Sequence, residues 1–295
     1  MATLREIRRR IGGIKSIEKI TNAMKMVAAA KLRRAQENVV AIRPYARKIR
    51  QLIQHTLPGA SGEQHPLLAV REVKNALVVA VASDRGLCGS FNNNLVKAVL
   101  EHVRNTYPGQ GTGVQYLVVG KKSSDYFRKR NYPIFAAHPG IFHSLQFQTA
   151  RDIVREFSDA FLQGRVDRVD VVYNEFKSVI QQRIVVEQLL PVLPETVLQD
   201  APPGSARADY IFEPSQDALL RELLPKHLDI QMMRVLLESN AAEQGARMTA
   251  MGNATDNAGE LISMLTLSYN KARQSSITKE LLEIVSGAEA LKKAG

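Results

Sequence analysis

Apolar positions near the start of the chain recur at steps of three and four: Leu4, Ile7, Ile11, Ile14, Ile17, Ile20, Met24 and Val27, then Leu32, Ala35, Val39, Ile42, Ala46, Ile49 and Ile53. That spacing predicts one long helix carrying a coiled-coil seam. The unbroken threes from Ile11 to Ile20 read as a three-residue insertion that overwinds the coil locally. Thr3-Leu4-Arg5-Glu6 is a capping box at the start, and Pro58-Gly59 supplies the stop. Gly12, Gly13 and Pro44 conflict with a helix interior, at about 1 kcal/mol per glycine and about 3 kcal/mol for proline. A bend or a close backbone approach is expected there.

Between about residues 75 and 195 the period changes. Ala76 to Val81 is a short buried strand, followed by a helical stretch from Asn94 to Asn105. Tyr116 to Val119 is a second strand, with a helical turn or two from Ser124 to Arg130 after it. Phe147 to Leu162 is a further helix, and Val169 to Tyr173 and Ile184 to Val186 are further strands. Strands alternating with helices predict a parallel, Rossmann-like sheet with helices on its faces. The last strand is expected to be antiparallel, because too few residues precede it for a crossover.

Ala201-Pro202-Pro203-Gly204-Ser205 reads as a linker, within a connection at about 195–209. Ser215 then serves as an N-cap with Asp217 in the first turn. Helical periodicity runs on to Lys293, past Pro225, with a strict heptad at Met251, Thr255, Ala258, Ile262, Leu265, Tyr269, Ala272 and Ser276. At about 1.5 Å per residue the two end helices would span roughly 80 and 120 Å. A compact chain of this length has a radius of gyration of about 19 Å. The fold class expected is α/β plus a long antiparallel coiled coil, its N- and C-terminal helices wound together and a mostly parallel sheet domain between them. The domains expected are 1–58, 59–209 and 210–295. Met26, Met248 and Leu267 lie off the seams and are expected to be exposed, which suggests insertion into a partner.

Composition sharpens this outline in three places. With 45% apolar and 23% charged residues the 295-residue chain is globular. Its net charge of +11 sits entirely in residues 1–50, with 14 Lys+Arg against 3 Asp+Glu; the remainder holds 26 of each sign. Such a concentration points to an acidic partner: nucleic acid, an anionic membrane surface or an acidic protein. Cys88 is the single cysteine, so an intrachain disulfide and a Cys-based zinc site are excluded. The longest apolar run, Ala76 to Ala82, is far shorter than the roughly 20 residues that span a bilayer.

Candidate chemistry is sparse. Ser83-Asp84-Arg85-Gly86-Leu87-Cys88-Gly89-Ser90 lies between the first strand and a helix, where phosphate loops occur, but its glycines do not make GxGxxG. Gly120-Lys121-Lys122-Ser123 resembles a Walker fragment, yet Gln115 stands where the first glycine belongs. A tight structural turn is the reading adopted for the first of these, and a buried structural thiol for Cys88. The six histidines show no ligand spacing. No catalytic, cofactor-binding or metal site is expected. Three readings follow: a rod that inserts into a partner, a basic coiled-coil nucleic-acid-binding protein and a Rossmann-type enzyme. Against the second, the basic residues interleave with the seam instead of preceding it, and Tyr45 is the only aromatic among them.

Three ordered motifs carry a resemblance. Leu4 to Ile11 with Lys19 to Lys31, then Ser83 to Gly89, then Tyr269 to Ala288, closely resemble the corresponding segments of the ATP synthase gamma subunit family. The resemblance implies a non-catalytic central shaft of a proton-translocating F-type ATP synthase, with catalytic residues on the beta subunits. The coiled coil would sit inside a ring of three alpha and three beta subunits. The α/β body would rest on the epsilon subunit and the c-subunit ring, placing the chain peripherally on the cytoplasmic side of the cell membrane. By motif match, Met24 and Arg247 are implied at the beta contact that couples rotation to catalysis, and Gln274, Thr278 and Glu280 as polar contacts to beta. Gly245 stands where relatives more often carry alanine. Chloroplast members carry a regulatory cysteine pair; with Cys88 alone, thiol switching is not expected. A start at the family's mature N-terminus implies a bacterial member.

Overall fold

The computed structural model describes residues 3–56, 65–108, 113–179, 181–193, 213 and 215–294. The Pro58-Gly59 stop, the 201–205 linker and the boundaries expected near 58 and 209 lie outside them. The elements in order are α1 (Leu4–Thr56), β1 (Asn75–Val81), α2 (Phe91–Thr106), β2 (Gly113–Val119), α3 (Lys121–Lys129), β3 (Ile134–His138), α4 (Phe147–Leu162), β4 (Arg168–Phe176), β5 (Gln182–Leu190) and α5 (Gln216–Ala294). Both expected caps form. Thr3 N donates to Glu6 Oε2 at 2.8 Å and Glu6 N to Thr3 Oγ1 at 3.3 Å, while Ala218 N donates to Ser215 Oγ at 3.2 Å. Pro44 and Pro225 are carried inside their helices.

The chain divides into two units, one of Met1–Val27 with Met248–Gly295 and the other of Ala28–Arg247. The first is a helix pair. Arg8 Nη2 donates to Tyr269 OH at 2.9 Å, Thr255 Oγ1 to Thr21 Oγ1 at 2.8 Å, and the Lys25 stem lies over Gly252. Numbers rise along α1 as they fall along α5, so the pair is antiparallel. On α5 the predicted heptad holds: Met251 to Ser276 are buried or half-buried at every seam position. On α1 the expectation needs correcting. The buried and half-buried seam positions run Ile11, Ile14, Glu18, Thr21, Lys25, Ala28 and Leu32, an unbroken alternation of threes and fours with no insertion. Ile17, Ile20 and Val27 are left more than half exposed. The reason is the partner: a regular heptad on α5 keeps α1 regular. Gly252 also leaves room for the Lys25 stem, and Gly259 for the Glu18 carboxylate. Among the described residues no close approach occurs at Gly12 or Gly13, where a Cβ would meet nothing within 4 Å.

The second unit is built on a five-stranded sheet of order β3-β2-β1-β4-β5. β1 to β4 are parallel and β5 pairs antiparallel with β4, as expected. β3 was not anticipated. Among the described residues it pairs only with β2, and all of its residues are half-buried. One face packs α2 and α3 over Val78, Ala80, Val118 and Val172. The other packs α4, the Ile49–Ile53 end of α1 and the Leu220–Leu236 part of α5 over Leu77, Val79, Leu117 and Val171. Strand β1 is therefore apolar on both sides, which is why its sequence shows no alternation.

Within the α5-side layer, His227 is 5% exposed. Burial, with the nearby charges of Arg50 and Arg234, pulls its imidazole down to about 4. An unfolded histidine titrates at about 6.5, so the unfolded chain takes up the proton first as pH falls. Neutral His227 therefore contributes stability above pH 6.5 that is lost on descent through pH 4, about 3 kcal/mol in all and about 2 kcal/mol by pH 5. Urea unfolding at pH 7.5 and pH 5 is expected to show this loss in the natural chain and not in His227→Gln. Equal losses in both would remove His227 from the account.

Candidate functional site

The β1–α2 loop, residues 82–90, sits at the carboxyl end of the sheet, where open α/β folds bind ligands. Its side chains bind the loop to its own scaffold. The Asp84 carboxylate accepts three backbone N–H groups, from Lys121 at 2.9 Å, Gly140 at 2.7 Å and Phe142 at 2.9 Å. Lys121 N opens α3 and is a donor that a phosphate would need. Ser83 N and Oγ both donate to Asn92 Oδ1, and Asn92 Nδ2 reaches Cys88 Sγ at 3.2 Å. Leu87 takes φ 62° and is 63% exposed at the tip. Cys88 is 2% exposed and its thiol is pushed up by burial, which suits a structural thiol and not a nucleophile. The turn reading holds for this loop.

The five residues implied by motif match fall into different environments. Met24 is half-buried on α1 beside the seam. Gln274, Thr278 and Glu280 are exposed on α5, where Thr278 Oγ1 donates to Gln274 O at 3.0 Å. These three share one stretch of helix. Arg247 is buried instead. Its Nη2 donates to Glu243 Oε1 at 2.6 Å and to the carbonyls of Arg85 at 3.2 Å and Gly86 at 3.3 Å, and its Nη1 donates to Gln244 Oε1 at 3.1 Å. Of the apolar residues expected on the surface, Met26 and Leu267 are 62% and 72% exposed, whereas Met248 is half-buried. Met248 stands one heptad from Thr255 and so falls within the helix pairing.

Sequence reasoning passed over a buried polar network on β4. Asp170, fully buried, accepts from Tyr107 OH at 2.6 Å and Arg168 Nε at 3.0 Å, and pairs with His102 Nε2 at 2.8 Å. Burial pushes this carboxyl up, but its three donors outweigh that and hold it below the usual carboxylate range. The signal was present: an aspartate inside the apolar run Val169–Tyr173 needs partners.

The family model described as ATP synthase matches residues 3–291. An ATP synthase gamma chain of Chlorobaculum tepidum is 50% identical over 99% of this chain and the whole of that protein. One from Chloroherpeton thalassium is 49% identical over the full length of both. The chain belongs to the ATP synthase gamma family. Two solved structures agree in fold. The central stalk with c-ring of the Tetrahymena thermophila mitochondrial ATP synthase aligns at 27% identity, with a TM-score of 0.58 over 80% of this chain and 99% of that one. A chain in the rotor of the Euglena gracilis mitochondrial ATP synthase aligns at 22% identity, with a TM-score of 0.67 over 93% and 98%. Neither the nucleic-acid reading nor the dinucleotide-enzyme reading finds support in these likenesses. For a gamma-family chain, the exposed apolar residues now have a context. α1 begins one turn before Arg8, so the partner helix runs out one turn beyond Tyr269 on α5. The stretch that follows exposes Ile277, Leu281, Leu282, Ile284 and Val285. Among the described residues no helix is long and apolar enough to cross a membrane.

Proposed function

We propose that this chain is the central shaft of a proton-translocating F-type ATP synthase, turning inside a ring of three alpha and three beta subunits. It is not itself an enzyme; ATP is made on beta. Family membership supports this. So does one structural observation, that α5 beyond Ser276 exposes Ile277, Leu281, Leu282, Ile284 and Val285 with no partner helix among the described residues. An isolated helix exposing that much apolar surface is stable only when a partner covers it. Residues 1–58 and 210–295 form the shaft and 59–209 the body, which rests on the epsilon subunit and the c-ring. The assembly lies at the cytoplasmic side of the cell membrane. The basic residues of α1 face an acidic segment of beta, where complementary charge favours one docking orientation.

Met24, Gln274, Thr278 and Glu280 touch beta directly, and Arg247 contributes to the same coupling from inside the chain. A shaft biases a catalytic site only through contacts that differ between rotary positions. Gln274, Thr278 and Glu280 are exposed, so replacing all three with alanine leaves the chain's own packing intact. The triple variant is expected to assemble with alpha and beta at normal stoichiometry while ATP synthesis drops about tenfold. Unchanged synthesis would remove these residues from the coupling surface. Failure of the natural chain to co-purify with alpha and beta would overturn the shaft reading itself.

A further inference from the structure

In a sheet of order β3-β2-β1-β4 the crossovers leave β1 in opposite directions, which opens a crevice at the carboxyl ends of β1 and β4. In this protein that crevice is full. Cys88 and Phe91, from the loop and the start of α2, form one buried cluster with Ala242 of α5, against which Phe176 and Ala246 pack. On the far side, the β4–β5 hairpin reaches α5 at Gly245. A Cβ there would meet Phe176 Cε2 at 3.3 Å, Val179 O at 3.5 Å and Gln182 Nε2 at 3.6 Å. The small residues Ala242, Gly245 and Ala246 let the α5 backbone enter.

We infer that this crevice is a socket for the chain's own helix, gripping α5 over residues 242–247 between the β1–α2 loop and the β4–β5 hairpin, and that it is the last joint along α5 through which the α/β body turns the helix, after the Leu220–Leu236 packing and the Arg234 bonds to Tyr173 and Glu187. The inference rests on the shaft reading above. Apolar packing alone lets a helix slip about its axis, because dispersion contacts are non-directional. Arg247 supplies the key. Its side chain stands off the helix axis, and one amino group serves the Arg85 and Gly86 carbonyls while also bonding Glu243. Rotation of α5 within the socket would break all of these bonds inside a site from which water is largely excluded, where unpaired groups are costly.

Both jaws are themselves braced. Asp84 ties the loop to three backbone amides across the sheet end. The hairpin is closed by Ser178 N donating to Gln181 O at 3.0 Å, and Gln182 Nε2 donates to Val179 O at 3.0 Å. Arg247 is thus a positioning residue: it holds the loop and helix together and acts on the partner subunits only through them.

The test uses the assembled ATP synthase. Arg247→Gln is expected to speed hydrogen exchange of the amides of residues 85–89 about tenfold, with the β1 and β4 amides unchanged. ATP hydrolysis persists while protons pumped per ATP fall severalfold. A second variant replaces the key with a covalent one. Gly86→Cys with Arg247→Cys is expected to be uncoupled when reduced and to regain pumping when the two thiols are bridged by a short bis-maleimide. Loss of coupling in Arg247→Gln with normal loop exchange would overturn the joint, because Arg247 would then act on a partner directly. A bridged double variant that stays uncoupled would overturn it as well. Absence of an alpha–beta complex with the natural chain would instead sink the shaft reading and the joint together.

Discussion

Replacing Gly120 with alanine is expected to leave the α/β body unable to fold. The residue has φ +90°, and an added Cβ would lie 2.2 Å from the carbonyl oxygen of Ala82 and 2.9 Å from its carbon. Neither neighbour has room to retreat. Ala82 N is bonded to Val119 O at 3.0 Å, and Gly120 N to His138 O at 2.9 Å, so the position is pinned to three strands at once. Ser123 and Ser124 hydroxyls close on Gly120 O at 2.9 and 3.0 Å from below. Strain of this kind, with no flexible side chain to absorb it, exceeds about 4 kcal/mol. The readout is soluble yield and the urea midpoint of the purified chain. A midpoint within about 1 kcal/mol of the natural protein would refute the argument. The same geometry explains why Gly120-Lys121-Lys122-Ser123 is not a phosphate loop: the glycine serves a close approach of β1, and Asp84 takes the helix amide.

Arg234→Met is expected to cost about 3–5 kcal/mol, since it strips the cation from a set of carboxylates largely withdrawn from water. Arg234 Nη1 donates to Tyr173 OH at 2.9 Å, its Nη2 bonds Glu187 Oε2 at 2.5 Å, and Glu238 stands 3.4 Å from Nη1. Tyr173 OH in turn donates to Glu187 Oε1 at 2.7 Å. Burial already pushes the Glu238 carboxyl up, with Arg234 the main influence pulling it back. Without the guanidinium, two like charges face each other across α5 and β5. Protonation relieves them, so the deficit is expected to shrink as pH falls from 7 towards 5. Urea unfolding of both proteins at the two pH values reads this directly. A deficit that stays constant with pH would mean lost packing and not charge.

What could be read from the residues alone follows their distance along the chain. The strands β1, β2 and β4 announce themselves by apolar runs, and α4 by its period and ends. β3 does not: Ile134–His138 follows Pro133, contains two alanines and a histidine, and is a strand because β2 presents an edge. The α5 seam was legible because each heptad position is apolar or small. The α1 seam is not legible at Ile17 and Ile20, because apolar residues there face outward, while the Lys25 stem and the Glu18 carboxylate turn towards glycines on α5. Period alone cannot say which of two adjacent stripes a partner prefers. The socket was illegible for a simpler reason. It joins residues 83–91, 176–179 with 181–182, and 242–247, and only folding brings these together.

The hydroxyl contact between Thr21 and Thr255 decides an alignment. Sliding one helix by a heptad, about 10 Å along the axis, would bring Thr21 opposite Met248 or Ile262 and lose the contact between the two hydroxyls, each of which also meets a carbonyl of its own helix. Together with Arg8 and Tyr269, this polar pair works as an index mark in the seam, as buried polar residues do in other paired helices. The helix pair therefore favours one overlap, and the length of α5 that runs on past its partner is set at folding and not left to the forces that later act on it.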